Sequence, residues 1–354
     1  MTEKKRYVEY DLMRILACLC VIMIHAAVFN QSENYHYTTF AFQSINIWGV
    51  LSRWAVPAFV MLSGMMILPH GDEISIGKLM KRRVFRMLGA YIVWSCVYSF
   101  YNVFVLKNVY AGTKLKTWLD GCFSGEIHMW YLPMLAGMYI ASPLLAIMIK
   151  KLERRWTIYW LGGLFLFSSA IPFFVKLNIR FASVIVDSVN SYMDLQFLGG
   201  WTFYFVIGFY IQRHNFLRKE KIAVAVCAIL SLAFTMWATV GYYLKHGEAM
   251  GVLPYEYPNI VCMSIGALLF FKEVVSRSKL IVKFEKIIRN LSGLTFGIYL
   301  IHLLMLKIWY SFGINVQMLH PIVSIPLLAV IVFTSSGIIV WLIRRIPVVG
   351  PYFA

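Results

Sequence analysis

Residues 10–30 read YDLMRILACLCVIMIHAAVFN, apolar and long enough to cross a bilayer. The stretch nevertheless carries Asp11, Arg14 and His25. Ionisable side chains inside a span are costly and mark a functional site by default. Arg14 and His25 stand eleven positions apart. At about 100° per residue that is roughly three turns, so they share one helix face about 16 Å apart along the axis. Asp11, three residues before Arg14, lies on the same face and can pair with it.

Outward from this helix the rest of the chain has the same character. Of 354 residues 60% are hydrophobic and 14% charged, with a mean hydropathy of +0.70, whereas soluble domains run near 25% charged. Apolar blocks of about 20 residues repeat along the sequence, the length a membrane helix needs. The fold class expected is an all-α integral membrane protein of about ten transmembrane helices, residues 1–354 forming a single domain. The basic start resembles a signal peptide, but the apolar run is long, charged and first of a series, so it reads as a retained helix. No soluble domain is expected at either end.

The spans fall near 10–29, 46–68, 84–106, 129–149, 157–175, 197–212, 221–244, 258–272, 290–310 and 321–343. Basic residues test this division. Of the 33 lysines and arginines, 24 fall on alternate connections and 8 on the others, with Arg14 the remainder. A threefold bias that alternates correctly orients both termini to the cytoplasm. The same bias accounts for a net charge of +17 without nucleic acid. The six cysteines are scattered, with no CxxC or Cys/His cluster, and read as small core residues. No metal site is expected.

Besides the first helix, six further stretches carry polar groups with chemical potential. His25 can act as a general base, since neutral imidazole accepts a proton at ambient pH; a buried histidine bonded to a neighbouring helix fits equally. Arg14 can also snorkel to lipid phosphates. Residues 78–91, KLMKRRVFRMLGAY, concentrate Arg82, Arg83 and Arg86 where the third helix enters the membrane, and guanidinium groups recognise phosphate bidentately. A positive-inside loop explains Lys78 and Lys81. Ser63-Gly64 is a small pair suited to close helix approach. At 125–132, GEIHMWYL places Glu126, His128, Trp130 and Tyr131 at the outer mouth of the fourth helix. His302, in TFGIYLIH (295–302), reads as a satisfied core histidine. Outer loops 30–45 and 176–196, with Tyr35, His36, Tyr37, Asp187, Asn190, Tyr192 and Asp194, suit a hydroxylated ligand or an ordinary interface.

Together these pieces resemble the acyltransferase-3 family of membrane acyltransferases. The resemblance rests on Arg14, His25 and the preceding Asp11, on SGMMIL followed by the arginine cluster, on HMWYL, and on GIYLIH. It implies a ten-helix enzyme of the bacterial cell membrane. Such an enzyme moves an acyl group, usually acetyl, from cytoplasmic acyl-CoA to a hydroxyl of a surface polysaccharide, lipid-linked glycan or peptidoglycan. No fused hydrolase-like domain is expected, so the chain resembles the stand-alone type.

On this reading His25, Arg14 and Asp11 are catalytic, and Arg14, Arg82, Arg83, Arg86 and Ser63 hold acyl-CoA. Glu126, His128, Trp130 and Tyr131 meet the carbohydrate acceptor. The separation of Arg14 and His25 is comparable to an extended pantetheine arm. The alternative is a transporter for a small polar substrate such as an amino acid, which charged midspan residues suit equally; no inverted repeat or paired broken helices favour it. Acceptor identity, acyl length and oligomeric state are not written in the sequence.

Overall fold

The computed structural model describes residues 7–28, 39–71, 73, 75–110, 112–176, 200–246, 250–347 and 350. The expected loop residues Tyr35, His36, Tyr37, Asp187, Asn190, Tyr192 and Asp194 lie outside them. Among the described residues the regular structure is entirely helical. Nine helical segments among these residues are long and apolar enough to span a bilayer: α1 (Val8–Val28), α2 (Phe40–His70), α3 (Ile76–Val105), α4 (Tyr131–Lys151), α5 (Arg154–Phe174), α7 (Arg218–Lys245), α8 (Pro258–Arg277), α9 (Glu285–Ser311) and α10 (Pro321–Ile343). Between α5 and α7 lies a shorter helix, α6 (Trp201–Arg213), of 13 residues.

Contacts show that α6 is also a crossing. It packs antiparallel to α5: Phe203 meets Phe165 at 6.0 Å, and Tyr210 accepts a hydrogen bond from Arg154 at 3.3 Å. At its end Gln212 accepts a hydrogen bond from Tyr10 of α1. The chain therefore returns to the face from which α1 and α5 depart. The later helices require this return. Asp11 pairs with Ser292, and His25 lies beside His302, so α1 and α9 run parallel. Tyr98 and Asn102 of α3 likewise match Leu300 and Lys307 of α9 in ascending order. Parallel neighbours need an odd number of crossings between them, and only with α6 counted are there seven between α1 and α9 and five between α3 and α9. Finally, Arg344 after α10 donates to Gly293 near the start of α9. The first described helix thus starts, and the last ends, on one face, and the ten expected spans agree with ten crossings among the described residues.

The second span starts earlier than the apolar run suggests. Thr39 accepts a hydrogen bond from the Phe42 backbone at 3.2 Å, an N-cap that begins the helix at Phe40. The chain then turns at Ser52–Trp54 before continuing.

Helix association in lipid relies on small residues that let backbones approach. Gly64 of α2 does this. A Cβ there would sit 1.8 Å from the Phe205 carbonyl oxygen of α6, and one on Gly208 would sit 2.3 Å from the Met61 oxygen. The contact is reciprocal, glycine against backbone in both directions. It fixes α6 against α2, which itself packs on α1, the helix that carries the ionisable residues.

Candidate functional site

Seven residues advance an α-helix by two turns less about 20°, so Asp11, Cys18 and His25 form one polar edge along α1. That edge faces α9. Ser292 donates to Asp11 at 2.7 Å, the Cys18 thiol lies 3.9 Å from the Thr295 carbonyl oxygen, and the His25 and His302 ring centres are 5.2 Å apart.

At the inner end of the edge, Asp11 is 1% exposed and accepts a second hydrogen bond from Arg14 at 3.0 Å. Arg14 also touches the Met66 sulfur. Its electrostatic neighbours include Tyr131 and Tyr139, which both lie near Ser63. Arg14 is therefore engaged with the protein interior rather than directed only at lipid.

Next to this pair lies a cavity of about 330 Å³ lined by Arg82, Arg83, Arg86 and Arg344, with Tyr139 and Gly293 among its other walls. Arg83 lies over the Tyr139 ring at 5.7 Å and Arg86 over Phe296 at 5.6 Å. Partial burial of the guanidinium and, second, the charge of Arg86 push the pKa of Arg344 below its ordinary value. Among the described residues no carboxylate lines the cavity. Four guanidinium groups held together repel one another, and a polyanion such as a phosphate relieves that repulsion. Gly293 follows Ser292 in α9, so the arginine cavity and the Asp11–Arg14 pair meet at adjacent residues.

At the outer end three histidines converge. His25 is partly buried, His128 is 3% exposed and His302 is 0% exposed. The His25–His128 and His128–His302 ring centres lie 6.1 and 4.9 Å apart. Hydroxyl-to-carbonyl bonds fix the surroundings. Tyr299 donates to the His128 carbonyl, and Tyr98 donates to the Leu300 carbonyl at 2.9 Å while accepting from the Leu304 amide. His302 is only half the satisfied core histidine that the sequence suggests. Its Nδ1 bonds the Tyr299 carbonyl at 2.6 Å, but its Nε2 is buried with no partner among the described residues. Among the described residues no group of three His, Cys, Asp or Glu side chains is arranged to hold a metal.

The GEIHMWYL stretch does not act as one surface. The α4 helix begins only at Tyr131, so 126–130 form a turn that sends neighbouring side chains different ways. Glu126 accepts from Lys307 at 2.6 Å and Asn102 at 3.1 Å. His128 enters the histidine cluster. Trp130, 40% exposed, lies 5.1 Å from Trp201 and 6.3 Å from Tyr255. Arg53 covers the same Tyr255 ring at 5.4 Å. Tyr131 turns inward, 5.5 Å from Tyr299 and 6.4 Å from Phe59.

The candidates Arg14, Asp11, Ser63, Arg82, Arg83 and Arg86 thus gather at the inner end, while His25 and His128 gather at the outer end. Sequence reasoning missed Ser292, Tyr139 and Arg344 at the first, and Tyr98, Tyr299 and the role of His302 at the second. Ser292 and His302 both lie on the well-formed α9, but only the pairing of α9 with α1 shows which of its faces is inside.

A family model described as an acyltransferase domain matches residues 7–344 of the chain. No curated protein and no solved structure matches it.

Proposed function

The chain belongs to the acyltransferase-3 family, a multi-pass membrane acyltransferase, and from that premise we propose that it is an O-acyltransferase. The donor is cytoplasmic acyl-CoA, with acetyl the first acyl group to test. The acceptor is a hydroxyl of a surface glycan or lipid-linked sugar, and the setting is a bacterial cell membrane.

One observation carries this reading: a single edge of α1 joins an arginine-lined cavity at one end to a histidine cluster at the other. Arg82, Arg83, Arg86 and Arg14 are suited to the CoA phosphates, with Ser63 further along the same interior. Asp11 holds Arg14 in place. The donor cavity belongs on the cytoplasmic face because that face carries the excess of lysine and arginine.

His25 removes the proton from the acceptor hydroxyl as its oxygen attacks the thioester carbonyl carbon. The tetrahedral intermediate collapses with cleavage of the carbon–sulfur bond. The CoA thiolate then takes the proton back from the imidazolium, giving an ester and free CoA thiol. Trp130, with Trp201 and Tyr255, offers an exposed aromatic face on which a sugar ring can stack, and His128 closes the wall behind His25.

The test uses the full-length protein in membrane vesicles supplied with acetyl-CoA, reading release of CoA thiol and acetylation of extracted glycans by mass. Removing a general base costs about 10²–10⁴ in rate. His25→Ala should lose that much while retaining wild-type thermal stability. Near-normal transfer by His25→Ala would remove the base assignment, and absence of any acetylated product would remove the enzymatic reading.

A further inference from the structure

A neutral imidazole serves as a base only when the nitrogen facing the substrate carries the lone pair, and the hydrogen bond made by the other nitrogen decides this. In the Ser-His-Asp arrangement a carboxylate provides that bond. His25 has no such carboxylate among its described contacts. Asp11 is committed to Arg14 and Ser292, and Glu126 to Lys307 and Asn102. The polar groups around the ring of His25 include the two other histidines, with the charge of Arg53 also nearby.

His302 has the right hydrogen-bonding character. Its Nδ1 faces the Tyr299 carbonyl at 2.6 Å, and a carbonyl can only accept, so Nδ1 carries the proton. In a neutral ring Nε2 is then an acceptor. That atom is buried in a side chain of 0% exposure and has no partner among the described residues. The His25 ring lies 5.2 Å away centre to centre, inclined at 45°, near enough that rotation about the side-chain bonds turns a ring nitrogen toward that atom.

We propose that His302 is a positioning residue: its Nε2 accepts a hydrogen bond from one nitrogen of His25, leaving the other nitrogen of His25 bare toward the acceptor. The proposal rests on His25 as the general base.

The arrangement suits its setting. A carboxylate in this position would need an unpaired charge in the membrane interior, at large desolvation cost. A second imidazole gives the same direction without net charge, and its lone pair also steadies the imidazolium that forms during transfer. Tyr299 ties the arrangement together, because its carbonyl fixes the His302 tautomer while its hydroxyl bonds the carbonyl of His128. The His128 ring, 6.1 Å from His25 and inclined at 78°, stands edge-on as a wall.

Nitrogen-15 NMR of histidine-labelled, full-length protein in lipid nanodiscs tests this without reference to activity, with His25 assigned by its loss in His25→Ala. In the wild-type protein His25 should show a single neutral tautomer and a nitrogen–nitrogen coupling to His302 across the hydrogen bond. His302→Phe, which keeps a ring in place, should leave a mixture of tautomers. His302→Gln, whose side-chain oxygen can accept in place of Nε2, should restore the single form.

Acetyl-CoA thiol release should follow: a fall of about 10²-fold in kcat for His302→Phe, partial recovery for His302→Gln, and KM for acetyl-CoA unchanged in both. Absence of the coupling in the wild-type protein overturns the proposal, and that measurement needs no variant to fold. So does a tautomer shift caused by His128→Phe instead of His302→Phe. Full thiol release by His25→Ala would instead overturn the base assignment while leaving the coupling in place.

Discussion

Ser292 of α9 donates to the buried carboxylate of Asp11 on α1 at 2.7 Å, while Arg14 bonds the same oxygen at 3.0 Å. The two bonds differ in consequence. Removing the serine hydroxyl forfeits one hydrogen bond to a charged group, about 1.5–3 kcal/mol. Replacing the carboxylate by an amide leaves a guanidinium without its counter-ion in the protein interior, a change of about 3–5 kcal/mol. Thermal unfolding in detergent should therefore rank Asp11→Asn well below Ser292→Ala, with Ser292→Ala below wild type. Equal shifts for the two variants would mean that stranding the Arg14 guanidinium costs nothing beyond the lost hydrogen bond between α1 and α9.

The crossing of α2 and α6 leaves no room for a methyl group at Gly64, because its Cβ would lie 1.8 Å from the Phe205 carbonyl oxygen. That obstacle is backbone, not a flexible side chain, so the helices themselves must separate. Gly64→Ala is expected to lower the yield of folded protein and the melting temperature sharply. Gly137, whose Cβ would meet nothing within 4 Å, should accept alanine without loss. Size-exclusion chromatography and a melting curve for both variants check the contrast.

The crossings were legible from sequence because apolar length and basic loops are long-range signals that survive local irregularity. The short helix α6 shows this: with 13 residues it is too short to pass a length test, yet the charges on either side already require a crossing. The inner half of the site was also legible, since Arg82, Arg83 and Arg86 cluster in sequence as they do in space. The outer half was not. His302 and His128 are 174 positions apart, and nothing in either local sequence indicates that their rings approach to 4.9 Å. The directions of the GEIHMWYL side chains were not legible for a local reason, because residues 126–130 turn before the helix starts and no helical spacing rule applies to them. Arg344 was counted as a topological charge, which it also is; its place in the arginine cavity comes only from the packing of α10 on α9.

Lys307 is 13% exposed and bonds Glu126 at 2.6 Å and Asn102 at 3.0 Å, with the Tyr98 ring 5.9 Å from its ammonium. Breaking a largely buried pair strands the remaining charge, whereas replacing both members by neutral groups of similar size removes the need for pairing. Lys307→Met should therefore destabilise by about 3–5 kcal/mol, and the double variant Lys307→Met/Glu126→Gln should regain most of that loss. A double-variant melting temperature no higher than that of the single variant would contradict the pairing.

Arg344 and Arg345 offer an internally controlled test of the donor cavity. Arg344 lines it and donates to the Gly293 carbonyl, while the neighbouring Arg345 stacks on Trp341 at 3.6 Å and takes no part in the lining. The two variants Arg344→Gln and Arg345→Gln remove the same charge from the same turn, so any long-range field effect is common to both. A charged hydrogen bond to phosphate contributes about 1.5–3 kcal/mol, and every 1.4 kcal/mol is tenfold in affinity. Calorimetry of the nanodisc-embedded protein with CoA should show binding weakened at least tenfold by Arg344→Gln and nearly unchanged by Arg345→Gln. Raising the salt concentration should narrow the difference, since the contact lies at the rim where ions screen it. Equal affinities for the two variants would place the CoA phosphates elsewhere than in this cavity.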